Sequence, residues 1–257
     1  MKLSVIIPCL NEEHYLPRLL DGLLDQTMKD FEVVVVDSGS TDGTAAVAQS
    51  YANRLALALI QAPRGVARDR NAGAAASTGQ WLLFLDADVR LPRPEFLAEV
   101  VTQAEARGLY TASAKFRIKN AGFMERVGGV ITYQYTKLLS KTQHPVACGF
   151  CILTRRDRFE AVGGFDVALA VGEDYDYVSR SSGGRPNHFA FIGSTYFYVD
   201  LRRFEEGGRY LVFLKSIGYE IYRFTHGFRI DRDPFGYTFG QHRQPPTDTP
   251  HAKDNND

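Results

Sequence analysis

Apolar and polar positions switch between two periods along the first half of the chain. Ser4-Val5-Ile6-Ile7 is a short β-branched run ended by Pro8, whereas Leu16, Leu19, Leu20, Leu23 and Leu24 recur at helical spacing. Phe31 to Val36 is apolar apart from Glu32 and stops at Asp37. Ser38-Gly39-Ser40-Thr41-Asp42-Gly43 is turn and N-cap chemistry, and it predicts a helix through about Tyr51. Further strands are predicted at Leu55 to Gln61 and Trp81 to Leu85, and helices at Ala67 to Ser77, closed by Gly79, and at Pro92 to Arg107. Continuous apolar strands separated by helices predict an α/β fold with a mostly parallel sheet covered on both faces. Ligands of such sheets sit at the carboxyl ends of the strands, the edge where Asp37, Asp86 and Asp88 fall.

The second half is less regular. Tyr110 to Ile118 and Phe189 to Val199 read as strands, Phe123 to Leu139 as a helix, and Phe204 to Thr225 as a long helix. No linker or internal repeat divides the chain, so residues 1–240 are expected to form one domain. Residues 241–257 hold no large apolar side chain and are expected to be a disordered tail.

Composition narrows the class. A 257-residue chain with 44% hydrophobic residues can bury a substantial core. Thirty Lys and Arg balance 30 Asp and Glu, which argues against a general nucleic-acid binder. No apolar run approaches the roughly 20 residues of a spanning helix, and the start has no signal-peptide layout, so the expected location is the cytoplasm. Three cysteines do not make a disulfide scaffold. Cys148-Gly149-Phe150-Cys151 lacks the second pair that a zinc or redox site would need.

Asp86-Ala87-Asp88 is the sharpest chemical signal. Two carboxylates one residue apart at a strand end can approach Mg²⁺ or Mn²⁺, with phosphate oxygens completing the shell. Asp174-x-Asp176 and Asp231-x-Asp233 share the spacing, but only the first directly follows an apolar strand, Trp81-Leu82-Leu83-Phe84-Leu85. A carboxylate such as Asp37 at a strand end can accept from a base N–H, and the glycine-containing turn after it lets a flat ring approach the backbone.

Taken together, the motifs resemble family-two glycosyltransferases of the GT-A fold. They are Ser4-Val5-Ile6-Ile7-Pro8-x-x-Asn11-Glu12, Val35-Val36-Asp37-x-Gly39-Ser40-Thr41-Asp42-Gly43-Thr44, Arg68-x-x-Asn71-x-Gly73, Phe84-Leu85-Asp86-Ala87-Asp88, Gly163-Gly164-Phe165-Asp166 and Glu173-Asp174, in the family's order over roughly residues 3–182. Ser38 stands where the family has a second Asp, and Cys9-Leu10 replaces the more usual Thr-Tyr. The resemblance implies a Rossmann-like, mostly parallel sheet. Residues 1–110 would be the nucleotide-binding half, 111–200 a smaller mixed acceptor-side half, and 201–240 a C-terminal amphipathic helix region.

The implied activity is inverting transfer, of the hexosyltransferase type, from a nucleotide-diphosphate donor, a UDP-sugar by expectation, to a sugar or lipid-linked hydroxyl acceptor. Asp37 would accept from the base; Pro8, Leu10 and Glu12 would line the same pocket. Arg68 would reach the base or the diphosphate, and Asp86 the ribose or donor sugar. Asp88 would ligate Mn²⁺ or Mg²⁺, with Asp200 as a further ligand, and Arg202 and Arg203 would neutralise the departing diphosphate. Asp174 is the expected general base, kept ionised by a helix N-terminus, with Glu173 beside it touching the acceptor.

Two other classes stay open. A nucleotidyltransferase would want a glycine- and Arg/Lys-rich loop over a triphosphate, which Pro8-Cys9-Leu10-Asn11-Glu12 is not. A non-catalytic nucleotide-sugar-binding module would lack the base or the metal pair. A dehydrogenase is disfavoured because no Gly-x-Gly-x-x-Gly follows a strand. Residues 204–239 hold 10 aromatics in 36 positions, interleaved with Arg209, Lys215, Arg223, Arg229 and Arg232. Peripheral contact with the cytoplasmic leaflet is therefore expected, with Phe213, Tyr222, Phe224 and Phe228 outward.

Overall fold

The computed structural model describes residues 2–119, 122–200, 218, 219, 222, 223, 225, 230 and 233–235. Strands β1 (Leu3–Cys9), β2 (Phe31–Asp37), β3 (Leu57–Gln61) and β4 (Trp81–Leu85) form a parallel set. The other strands are β5 (Val89–Arg90), β6 (Thr111–Ile118), β7 (Cys151–Arg155) and β8 (Phe189–Val199). All eight make one sheet in the order β3-β2-β1-β4-β7-β6-β8-β5. Antiparallel β7 between β4 and β6 is where the sheet becomes mixed; β6 and β8 run parallel, and β5 closes antiparallel on β8.

Helices α1 (Leu16–Leu24), α2 (Thr44–Tyr51), α3 (Val66–Ala75) and α4 (Phe96–Ala106) connect the first half. Helices α5 (Phe123–Leu139), α6 (Arg156–Ala161) and α7 (Glu173–Ser181) follow. Alternate strand positions feed two cores. Val5, Ile7, Val33 and Leu83 pack with Leu16, Leu19, Leu20 and Leu23 of α1 on one face. Ile6, Val34, Phe84 and Ile152 pack with Phe165 and Tyr177 on the other. This two-sided burial is why Val33 to Val36 of β2 and all of β4 read as unbroken apolar runs.

Three expectations are corrected. Pro8 does not end β1: pairing with β4 stops at Ile6, and Pro8 only faces Val36 of β2, so its missing N–H costs no bond on the β4 side. The helix expected from Ala67 to Ser77 is Val66–Ala75, and that expected from Pro92 begins at Phe96. Two elements, β5 and α6, were not anticipated because two and six residues carry too little periodicity. The helix expected over 204–225, as a whole, and the 241–257 tail lie outside the described residues, as do Arg202, Arg203, Phe213, Phe224 and Phe228.

Candidate active site

The carboxyl ends of β1 and β2 are stitched together by their loops. Asn11, with φ 57°, donates its N–H to Ser40 Oγ (3.0 Å) and accepts from the Thr41 N–H (2.9 Å). Glu12 donates to Thr44 Oγ1 at 2.7 Å, and Glu13 Oε2 accepts from the Gly43 N–H at 2.7 Å. Asp37 is buried, and its Oδ1 accepts from the Ser40 N–H (2.9 Å) and Oγ (2.6 Å). Asn11, Ser40 and Thr41 thus act as a frame that holds Asp37 and Glu12 at the sheet edge.

A cavity of about 420 Å³ opens beside this frame. Pro8, Leu10, Glu12, Arg68 and Asp86 from the first half of the chain line it together with Glu173 and Asp174 from the second. Asp37 and Asp88 are buried at the same edge but are not on this wall. Asp88 directly precedes Val89 and Asp200 directly follows Val199, and Val89 and Val199 are paired partners in β5 and β8.

Arg70 joins the two halves. Its guanidinium is 2% exposed and donates to Asp86 Oδ1 (3.1 Å), Glu173 Oε1 (2.9 Å) and the Gly149 carbonyl (3.1 Å). It also lies 5.1 Å above the Phe165 ring. A Cβ at position 149 would come within 2.5 Å of Arg70 Nη2, so glycine is the residue that fits there. Sequence reasoning selected Arg68 instead. Arg68 is exposed at the cavity wall and donates to the Arg64 carbonyl at 3.2 Å.

Glu173 and Asp174 open α7 after Gly172, whose φ of 80° is the left-handed region that favours glycine. Asp174 Oδ2 accepts from the Gly149 N–H at 2.7 Å, and Oδ1 from the Tyr175 N–H at 2.8 Å. Burial raises the pKa of both carboxyls, and for Glu173 the neighbouring Asp174 charge adds to it; Arg70 opposes the rise in both, and Arg223 in Asp174. Burial thus adds to the helix N-terminus an opposite influence that raises the proton affinity of Asp174, a shift toward what a general base needs.

Two motif elements turn out to be clamps. Asn71 donates to the Phe165 carbonyl (2.8 Å) and accepts from its N–H (2.9 Å), while Gly164, at φ 70°, leaves room for Asn71 Oδ1. This bond pair docks the acceptor-side loop onto α3. Arg223, expected on a membrane face, is instead buried on the cavity wall, its guanidinium 4.1 Å from the Tyr175 ring centre. The Cys151 thiol is buried and pushed up to about 12, that of Cys9 is raised by burial as well, and all three cysteines are free.

A carboxylate-lined cavity at the carboxyl edge of a sheet that turns from parallel to mixed fits the GT-A glycosyltransferase fold that the motifs resemble. Residues 4–163 match the family model described as glycosyl transferase family 2, and the chain belongs to that family. A "PGL/p-HBAD biosynthesis glycosyltransferase" of Mycobacterium bovis is 36% identical over 183 residues, 69% of this chain and 68% of the relative. Glycosyltransferase AglE of Haloferax volcanii is 31% identical over 187 residues, 70% of this chain and 60% of that one. Among solved structures, mannosyltransferase PcManGT from Pyrobaculum calidifontis, in complex with GDP-Man and Mn²⁺, superposes with a TM-score of 0.65 at 25% identity, over 77% of this chain and 56% of that one. S. aureus TarS 1-349 in complex with UDP-GlcNAc gives 0.63 at 24%, over 79% and 59%, a likeness of fold.

Proposed function

We propose that this glycosyltransferase moves a hexose with inversion from a nucleotide-diphosphate donor, UDP-linked in preference, to a hydroxyl acceptor. The observation that carries the reading is Arg70, which ties Asp86 on the donor side to Glu173, next to Asp174, across one cavity. In this reading Asp37, Pro8, Leu10 and Glu12 receive the nucleoside, and Asp86 the ribose or donor sugar. Asp174 takes the proton of the acceptor hydroxyl as that oxygen attacks the anomeric carbon from the face opposite the diphosphate. The Gly149 and Tyr175 N–H groups orient the carboxylate. Arg68, on the cavity wall, and Arg202 and Arg203 are the proposed counter-charges for the leaving group.

The donor set fits a hard divalent cation. Asp86 and Asp88 offer oxygen ligands at one strand end, with Asp200 directly after Val199, the partner of Val89. Among the described residues no three His, Cys, Asp or Glu side chains form a group able to hold a metal alone. Mn²⁺ or Mg²⁺ held there would supply charge neutralisation for the diphosphate. The Mn²⁺ and GDP-Man bound by PcManGT support both the cation and the donor class.

The proposal is tested by Asp174→Asn. Donor binding should persist, while release of nucleoside diphosphate in the presence of acceptor should fall by about 10²–10⁴-fold. Unimpaired turnover at saturating donor would remove Asp174 from the chemistry.

A further inference from the structure

We propose that the outer face of α5 docks on an anionic lipid surface. Among the described residues, four of the six large apolar side chains that stand exposed belong to this helix: Val127 (36%), Val130 (60%), Ile131 (58%) and Leu138 (65%). At 100° per residue they share one face with Gln134. The opposite face is already used. Tyr133, Thr136 and Ser140 are buried, Tyr133 meets Phe116 and Phe191 edge-on, and Gly129 sits against Ile118 of β6. A surface helix normally turns its apolar stripe to the core, whereas here the aliphatic stripe faces outward and Tyr133, Thr136, Ser140 and Gly129 make the inner face.

The charge around the helix identifies what covers the outward stripe. Residues 111–150 contain Lys115, Arg117, Lys119, Arg126, Lys137 and Lys141 against the single acid Glu125, a local +5 in a chain of net zero. Arg126, Lys137 and Lys141 are exposed beside the apolar face. A second copy of the chain would set this positive region against itself. An anionic leaflet takes both features at once, the aliphatic side chains entering the acyl boundary and the cations meeting lipid phosphates. The contact lies on the surface, because α5 has 17 residues and is packed along its other side, and among the described residues no helix is long and apolar enough to cross a membrane.

The position bears on the cavity. Eleven residues beyond Leu138 the chain reaches Gly149, whose N–H holds Asp174. On the way His144 Nδ1 meets Ser179 Oγ of α7 at 3.2 Å. A leaflet touching α5 is thereby joined through one short segment to the acceptor side, which selects a lipid-carried hydroxyl as acceptor. This last step rests on the transferase reading; the docking does not.

The experiment is co-sedimentation of the full chain at low salt with vesicles of phosphatidylcholine alone and of phosphatidylcholine mixed with phosphatidylglycerol. The wild type should pellet with the anionic vesicles only. I131D/L138D should partition at least about tenfold less, the weight of one buried aliphatic side chain. K137E/K141E should lose a similar factor by reversing two charges. Thermal unfolding and nucleotide-sugar binding, measured on each variant, should be unchanged, so that a failed donor site and a failed docking face are told apart. Wild type remaining in the supernatant with both vesicles overturns the proposal. Unaltered pelleting of both variants overturns it too, by moving the contact off α5. A dimer in sedimentation velocity that I131D/L138D dissolves, with no vesicle binding, would make a second copy the occupant.

Discussion

Replacing Arg70 by methionine should be among the most damaging single changes at the carboxyl edge of the sheet. Methionine fills the space of the aliphatic stem, so the loss reports the guanidinium. That group is 2% exposed and serves Asp86, Glu173 and the Gly149 carbonyl. Removing one partner of a buried ion pair costs about 3–5 kcal/mol, because the other charge is left buried and uncompensated. With a urea dependence of about 1–3 kcal/mol per molar, the unfolding midpoint should fall by roughly 1–5 M. The deficit should depend on pH, and its sign follows from the carboxyls. Burial already raises Glu173 and Asp174, and Arg70 holds that rise down. Without Arg70 their folded-state pKa values climb further above the unfolded range near ~4. The folded variant then binds protons that the unfolded chain lacks, so its stability falls as pH rises through that window. Arg70→Met should therefore be least stable relative to wild type at neutral pH and recover in mildly acidic buffer. Arg70→Lys should fall between the two, since one ammonium keeps the charge without the fork. Urea titrations across pH decide the matter. A variant within about 1 kcal/mol of wild type at neutral pH, or one whose deficit is the same at every pH, would refute the reasoning.

Two other outcomes are expected. Asp69 is fully buried in α3, accepts from Ser38 Oγ at 2.5 Å, and is raised by burial to about 7; its folded pKa lies above the unfolded one, so it costs stability as pH rises from ~4 through that value, and Asp69→Asn should flatten the urea midpoint over this range. Glu173→Gln keeps an acceptor for Arg70 and should reduce turnover less than Asp174→Asn, as read by nucleoside diphosphate release; the reverse order would move the base to Glu173.

The parallel half of the fold was legible because its strands are buried on both faces and bounded by turn chemistry. Val33 to Val36 and Trp81 to Leu85 announce themselves, and so do the acids at their ends. What stayed hidden depends on packing between distant segments. Arg68 and Arg70 lie two positions apart on an Ala-rich helix with no apolar stripe to mark its inner face. Only the seating of α3 against Asp86 and Gly149 turns Arg70 inward. The antiparallel direction of β7 has no local signal, since a doubly buried strand reads alike both ways. Arg223 sits among aromatics and cations that resemble an interfacial segment, and its contact with Tyr175 is a long-range one. The outward aliphatic stripe of α5 is concealed for a related reason: the pattern predicts the helix, but that Tyr133 and Gly129 rather than Val130, Ile131 and Leu138 face inward is settled by packing alone.

The central claim is that the carboxyl edge of β1, β2 and β4 binds a nucleotide-diphosphate sugar together with a divalent cation. Titration calorimetry of UDP- and GDP-sugars with and without Mn²⁺, on the wild type and on Asp88→Ala, tests it most directly. The account predicts that one nucleotide class binds, that binding needs Mn²⁺, and that Asp88→Ala loses the metal-dependent part while unfolding at the same urea concentration. No binding by any nucleotide sugar, or binding that is indifferent to both Mn²⁺ and Asp88→Ala, would contradict it.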